Sequence, residues 1–91
     1  MAIGIYFPDG KFTPDQYDAA VKQLEAAGAG APAGRIHHVA VTANDNVQSF
    51  DIWESMEAFE AFGATLMPIL GGLGAEPGDP VVSPVHNVIA G

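Results

Sequence analysis

Val47–Gly63, VQSFDIWESMEAFEAFG, decides the fold. Its first half alternates. Val47, Ser49, Asp51 and Trp53 point one way, and Gln48, Phe50, Ile52 and Glu54 the other, as a strand requires. Ser55 then fits a helix N-cap, and Glu57 falls in the first turn, where the helix dipole favours an anion. Phe59, Phe62, Gly63 and Leu66 follow at helical spacing and make one apolar face. A strand therefore runs into a helix without a spacer, and Trp53 stands just before the junction.

Upstream, Arg35–Thr42, RIHHVAVT, reads as a second strand, joined to the first through a tight hairpin at Asn44, Asp45 and Asn46. Pairing Thr42 with Val47 sets His38 opposite Asp51 and Ile36 opposite Trp53. One face then carries Ile36, His38, Ala40 and Thr42 with Ser49, Asp51 and Trp53. The other carries Arg35, His37, Val39 and Val41 with Gln48, Phe50, Ile52 and Glu54.

Further upstream, Thr13-Pro14-Asp15-Gln16 fits a capping box and opens a helix over Thr13–Ala27. Phe12 and Tyr17 have the spacing of a hydrophobic staple, and Gly28 suits the residue after the helix. Ala2–Phe7 is a strand stopped by Pro8, Asp9 and Gly10. Downstream, Pro68 predicts a kink or interruption of the second helix after about Met67, with Ile69–Leu73 continuing at an angle. Gly71, Gly72 and Gly74 then end it. Val81–Ile89 is expected to be the last strand, at an edge or bulged because Pro84 lies inside it.

The order β-α-β-β-α-β predicts an α+β, ferredoxin-like fold, a four-stranded antiparallel sheet with both helices on one face. At 91 residues, the chain is read as one domain over residues 1–91. Such a domain buries only about 60–65% of its unfolded surface. It has no cysteine to compensate, yet 48% of its residues are hydrophobic and 15% charged. Two helices cover one sheet face, so the other is expected to be buried against a second copy in a homodimer.

The formal charge is −8, from 11 acidic residues and 3 basic ones, Lys11, Lys22 and Arg35, spread through the chain. Nucleic acid and anionic membranes both need clustered cations, so neither is an expected partner. MAIGIYFPDG has no basic start and no apolar run approaches a span of about 20 residues, so a cytoplasmic location is the expectation.

With these elements placed, the chain resembles the dimeric α/β-barrel superfamily, and within it the small antibiotic-biosynthesis-monooxygenase-like proteins. VQSFDIWESMEAFEAFG is similar to the strand-W-x-S-x-E-A-F-helix segment common in that group, and PVHNVI looks like its closing strand. The superfamily includes cofactor-independent oxygenases, haem-degrading enzymes, isomerases, dehydratases and ligand-sensing domains. The resemblance implies a fold more firmly than an activity.

Candidate chemistry gathers on the His38 face. A carboxylate beside an imidazole fixes its tautomer and raises its basicity, so His38 and Asp51 are the candidate catalytic pair. Trp53 would stack on a planar aromatic ligand, with Tyr6 or Tyr17 helping to position it. Ala2, Gly4, Ala40 and Ser49 on the same face would leave it room. The bland alternative is that His38 and Asp51 only satisfy each other at an interface. His86 in the last strand is a further candidate for ligand contact on the strength of the resemblance, though an exposed structural histidine is its commoner role. His37 reads as structural, Phe50, Phe59 and Phe62 as core, and Glu57 and Glu60 as a solvated helix face.

No metal site is expected, since no H-x-x-x-H or H-x-x-E spacing exists and His37 and His38 point to opposite faces. Haem-degrading relatives typically use a helix histidine, which this chain lacks. No G-x-S-x-G, G-x-G-x-x-G or G-K-[ST] occurs. What remains is a homodimer binding a hydrophobic or aromatic metabolite without a cofactor. The resemblance points to cofactor-independent monooxygenation of an activated phenol. The alternatives are a non-catalytic binding or structural dimer, and an isomerase or cyclase using the same base.

Overall fold

A computed structural model describes residues 2–91. The elements are β1 (Ile3–Phe7), α1 (Pro14–Ala26), β2 (Arg35–Ala43), β3 (Asn46–Trp53), α2 (Met56–Leu73) and β4 (Val81–Pro84). The sheet is antiparallel with order β2-β3-β1-β4, the ferredoxin-like arrangement.

Local chemistry places the helix ends where the residues ask. The Thr13 side chain accepts from the Gln16 N–H at 3.2 Å, and the Gln16 side chain accepts from the Thr13 N–H at 2.9 Å. The amide of the same Gln16 also donates to Leu73 O at 2.9 Å, tying the start of α1 to the end of α2. At the far end of α1, Gly28 takes a left-handed φ of 76° and Ala29 N–H bonds Leu24 O. Ser55 caps α2 by accepting from Ala58 N–H at 3.2 Å. Asn44 and Asp45 both have positive φ, 52° and 64°, as a two-residue hairpin turn of the favoured hand requires.

Four expectations are corrected. α2 runs unbroken through Pro68 to Leu73. The proline removes one hydrogen bond, while Leu66, Ile69, Leu70 and Leu73 on either side of it remain anchored in the core. β4 stops at Pro84 rather than Ile89, because Val85 N–H makes the last link to Ala2 O, where its partner strand is running out. β1 has the opposite parity to that assumed: Ile3, Ile5 and Phe7 oppose Trp53, Asp51 and Ser49, so Ala2, Gly4 and Tyr6 face the other way. Finally, β2 is bulged. Thr42 pairs with Val47 and His38 with Asp51, but Arg35 rather than Ile36 pairs with Trp53. Ile36 is the extra residue, and Arg35 therefore changes face.

The helices cover the face bearing Asp51 and Trp53. One core group there joins Phe12, Ala20, Val47, Leu70 and Ala75; the other joins Ile5, Leu24, Trp53 and Phe62. Trp53 is fully buried, with Phe59 edge-on at 5.8 Å and Phe62 at 5.3 Å between centroids. Phe59 and Phe62 are core residues as expected. Phe50 is not: it lies on the uncovered face, exposed beside Tyr6, Val39 and Val41. Gly34 is required where it stands, since its φ is 86° and a Cβ there would come within 2.6 Å of the Ala58 side chain.

Candidate functional site

Between the helices and the covered sheet face lies an open cleft of about 440 Å³. Its walls are apolar: Phe7 from β1, Ala20 and Leu24 from α1, and Phe59, Phe62, Leu66 and Leu70 from α2. Polar groups enter from the sheet and α1, namely Arg35, His38, Ser49, Asp51 and Tyr17, with exposed Glu60 at the rim. A few convergent polar groups in an apolar hollow is the usual make-up of a small-molecule site. Gly63 also lines it, and a Cβ there would meet nothing within 4 Å.

Four side chains form one hydrogen-bonded chain. Asp51 is buried, the one charged core residue among those described. Its Oδ2 accepts from the Trp53 indole N–H at 3.3 Å, and its Oδ1 accepts from His38 Nδ1. A carboxylate only accepts, so in the neutral imidazole the proton sits on Nδ1 and the Nε2 lone pair is free to accept. Tyr17 supplies the donor, its hydroxyl lying 2.7 Å from Nε2. Burial pushes the Tyr17 phenol up from its ordinary pKa, the nearby Arg35 charge pulls it back in part, and Asp51 and Asp18 add to the rise. Tyr17 is therefore a neutral donor at physiological pH, and the order is Tyr17 to His38 to Asp51, with Trp53 holding the far oxygen.

Similar solved structures share this framework. SnoaB, a cofactor-independent oxygenase from Streptomyces nogalater, matches over 97% of this chain and 93% of its own, at 14% identity and a TM-score of 0.56. A single-residue variant of SnoaB matches at 15% identity and a TM-score of 0.59. A candidate antibiotic biosynthesis monooxygenase from Chloroflexus aurantiacus J-10-fl matches over 100% of both chains, at 19% identity and a TM-score of 0.60. The likeness is one of fold, the ferredoxin-like βαββαβ arrangement of these structures. No family model matches the chain, and no curated protein does so.

On this fold the expected site residues divide. His38, Asp51 and Tyr17 meet at the cleft. Trp53 is beside them but lies beneath the surface, so it holds Asp51 rather than offering a face to a ligand. Tyr6 and His86 are elsewhere. Both border a shallow hollow on the opposite sheet face with Gly4, Phe50 and Ile52. Tyr6 is there because β1 has the other parity, and His86 because the chain leaves the sheet after Pro84.

Arg35 is the cleft residue that strand alternation hides. Strict alternation from His38 sends it outward, and the bulge at Ile36 brings it in. Nothing in RIHHVAVT signals it, since no residue type there announces a bulge. Among the described residues, no group of three or more His, Asp or Glu side chains converges as a metal site would need. Nor is any helix long and apolar enough to cross a membrane.

Proposed function

We propose that this protein binds a hydrophobic or aromatic metabolite in the cleft of each subunit of a homodimer and removes a proton from it there, the first step of a cofactor-independent monooxygenation of an activated phenol. The observation that carries this reading is the Tyr17–His38–Asp51 chain, anchored by a buried carboxylate and opening into an apolar hollow. The fold shared with a cofactor-independent oxygenase supports it by analogy.

His38 Nε2 is occupied by Tyr17, so the base acts through the phenol. A substrate hydroxyl gives its proton to the Tyr17 oxygen as Tyr17 passes its own to Nε2. Asp51 then holds the imidazolium that results, and Trp53 keeps Asp51 in place. The substrate anion is the reductant and dioxygen the oxidant: a ring methylene becomes a carbonyl, one oxygen atom stays, and the other leaves as water. The protein's part is to move the proton and to hold the ring against apolar walls.

The homodimer rests on the uncovered sheet face. Tyr6, Val39, Val41, Phe50 and Val81 are all exposed on it, an apolar surface larger than single scattered residues would make.

Oxygen uptake with anthrone as probe substrate tests the chemistry. His38→Ala and Tyr17→Phe should each lower the rate by about 10²-fold or more, with the far-ultraviolet spectrum unchanged. Full turnover in His38→Ala would end the catalytic reading. A second reading has its own support, because both His38 nitrogens are satisfied, as they are in a purely structural histidine. On that reading, a non-catalytic binding protein, His38→Ala lowers the melting temperature and no oxygen is consumed by any variant.

A further inference from the structure

Among the described residues, Arg35 has a charge that no carboxylate pairs with. Eleven acidic residues are available to three basic ones, yet among the described residues Arg35 makes no ion pair; the one close pair of opposite groups there is His38 with Asp51. Of its five N–H donors, one is committed, from Nη2 to Gly30 O at 3.2 Å. The guanidinium carbon lies 5.8 Å from the centre of the Phe62 ring, which holds the planar group against the cleft wall. The backbone also makes a special arrangement to bring it there. A bulge interrupts the sheet at Ile36, and its local effect is to turn Arg35 from the outer face to the inner one.

We infer that the cleft takes an aromatic ligand bearing a carboxylate or equivalent anionic group, and that Arg35 binds that group while the apolar body lies along α2. The inference rests on the proposed cleft function and narrows its ligand class. A guanidinium with donors to spare, held against an apolar wall, suits a planar anion, which can take two parallel hydrogen bonds from it. The acidic groups nearest in the cleft do not compete for it. Asp51 is committed to His38 and Trp53, and Glu60 lies exposed at the rim without pairing to Arg35. One ligand can reach both ends of the site, since Arg35 and Tyr17 line the same cleft.

Two fluorescent probes of one shape separate the charge from the apolar fit: anthracene-2-carboxylate and 2-(hydroxymethyl)anthracene. Titrated into the full protein, the carboxylate should bind about fivefold to tenfold tighter than the alcohol at low salt. The advantage should shrink in Arg35→Gln and in 0.5 M salt, with the alcohol unaffected by either change. Gly63→Leu, which fills the cleft, should weaken both probes alike. Equal binding of the two probes, or an Arg35→Gln effect that is the same on both, overturns the anionic assignment and leaves the cleft reading standing. If neither probe binds, or Gly63→Leu affects neither, the cleft is not a ligand site and both readings fall together.

Discussion

The two faces of this sheet are built from the same strands and by the same alternation, yet they differ in kind. The covered face holds one buried carboxylate with its hydrogen-bond partners satisfied, set among Ile5, Trp53 and Phe62. The uncovered face holds Tyr6, Val39, Val41 and Phe50, largely apolar and exposed, and its hydrogen bonds run through Gln48, which accepts weakly from the Tyr6 hydroxyl at 3.4 Å and donates to Pro8 O at 3.2 Å. Gly4 belongs to this second face, and its missing side chain seats the Phe50 ring, whose tip would be 3.0 Å from a Cβ there. Polarity is thus buried where chemistry is proposed and withheld where contact is proposed. A charge removed from the first face leaves donors stranded; a charge added to the second repels a partner.

The largest expected effect breaks the covered face. Asp51→Ala leaves His38 Nδ1–H and Trp53 Nε1–H without their acceptor. It should cost about 3 kcal/mol of stability by chemical denaturation, with Asp51→Asn costing less because one acceptor oxygen remains. A loss below about 1 kcal/mol would show that water replaces the carboxylate freely.

The uncovered face comes next. Phe50→Lys should leave the subunit folded, since Phe50 is 45% exposed within it. Its dimer should dissociate with a constant raised by about 30-fold, the equivalent of about 2 kcal/mol of lost apolar burial. Sedimentation velocity reads this directly, and a wild-type protein that is monomeric at micromolar concentration would remove the interface altogether.

A smaller effect sharpens the contrast within the covered face. Gly63 sits inside α2 with open space where its side chain would be. Gly63→Ala should stabilise the helix by roughly 0.5–1 kcal/mol and raise the melting temperature, while weakening probe binding in the cleft. Were the space only a packing defect, stability would rise and binding would not change.

The smallest effect is in the alkaline limb. The folded protein holds the Tyr17 proton more tightly than the unfolded chain does. That contribution is complete below the unfolded phenol value of about 10 and is lost as pH rises through the higher folded value. Absorbance at 295 nm should show one tyrosine titrating late, and Tyr17→Phe should remove that step.

What the sequence discloses and what it hides follow from distance along the chain. The capping box at Thr13 and the Ser55 cap are local, needing only neighbours to act, and both are realised. So is the hairpin at Asn44–Asp45, and counting back from it pairs His38 with Asp51 correctly. β1 pairs with β3 residues more than forty positions away, and nothing local sets which of its faces meets Asp51; only the packing of Ile5 into the core decides it. Alternation alone therefore puts Tyr6 on the wrong face. Trp53 was placed on the right face but at the wrong depth, because alternation reports direction and not how many side chains stand in front. The resemblance to the monooxygenase-like group anticipated the framework, and the likeness to solved structures at 14–19% identity is a likeness of framework too.

Ile36 carries information in a form that its own chemistry does not reveal. In a strand, in-or-out is a two-letter code, and one unpaired residue inverts every letter before it. Here the inversion falls on a single residue, because β2 begins at Arg35. Deleting Ile36 would keep every other side chain of the site and move its one cation to the opposite surface. Mutational scans that substitute residues one at a time would pass over this position, since a valine or a threonine preserves the count. A one-codon deletion would not, and the electrical character of the cleft would then change through arithmetic alone.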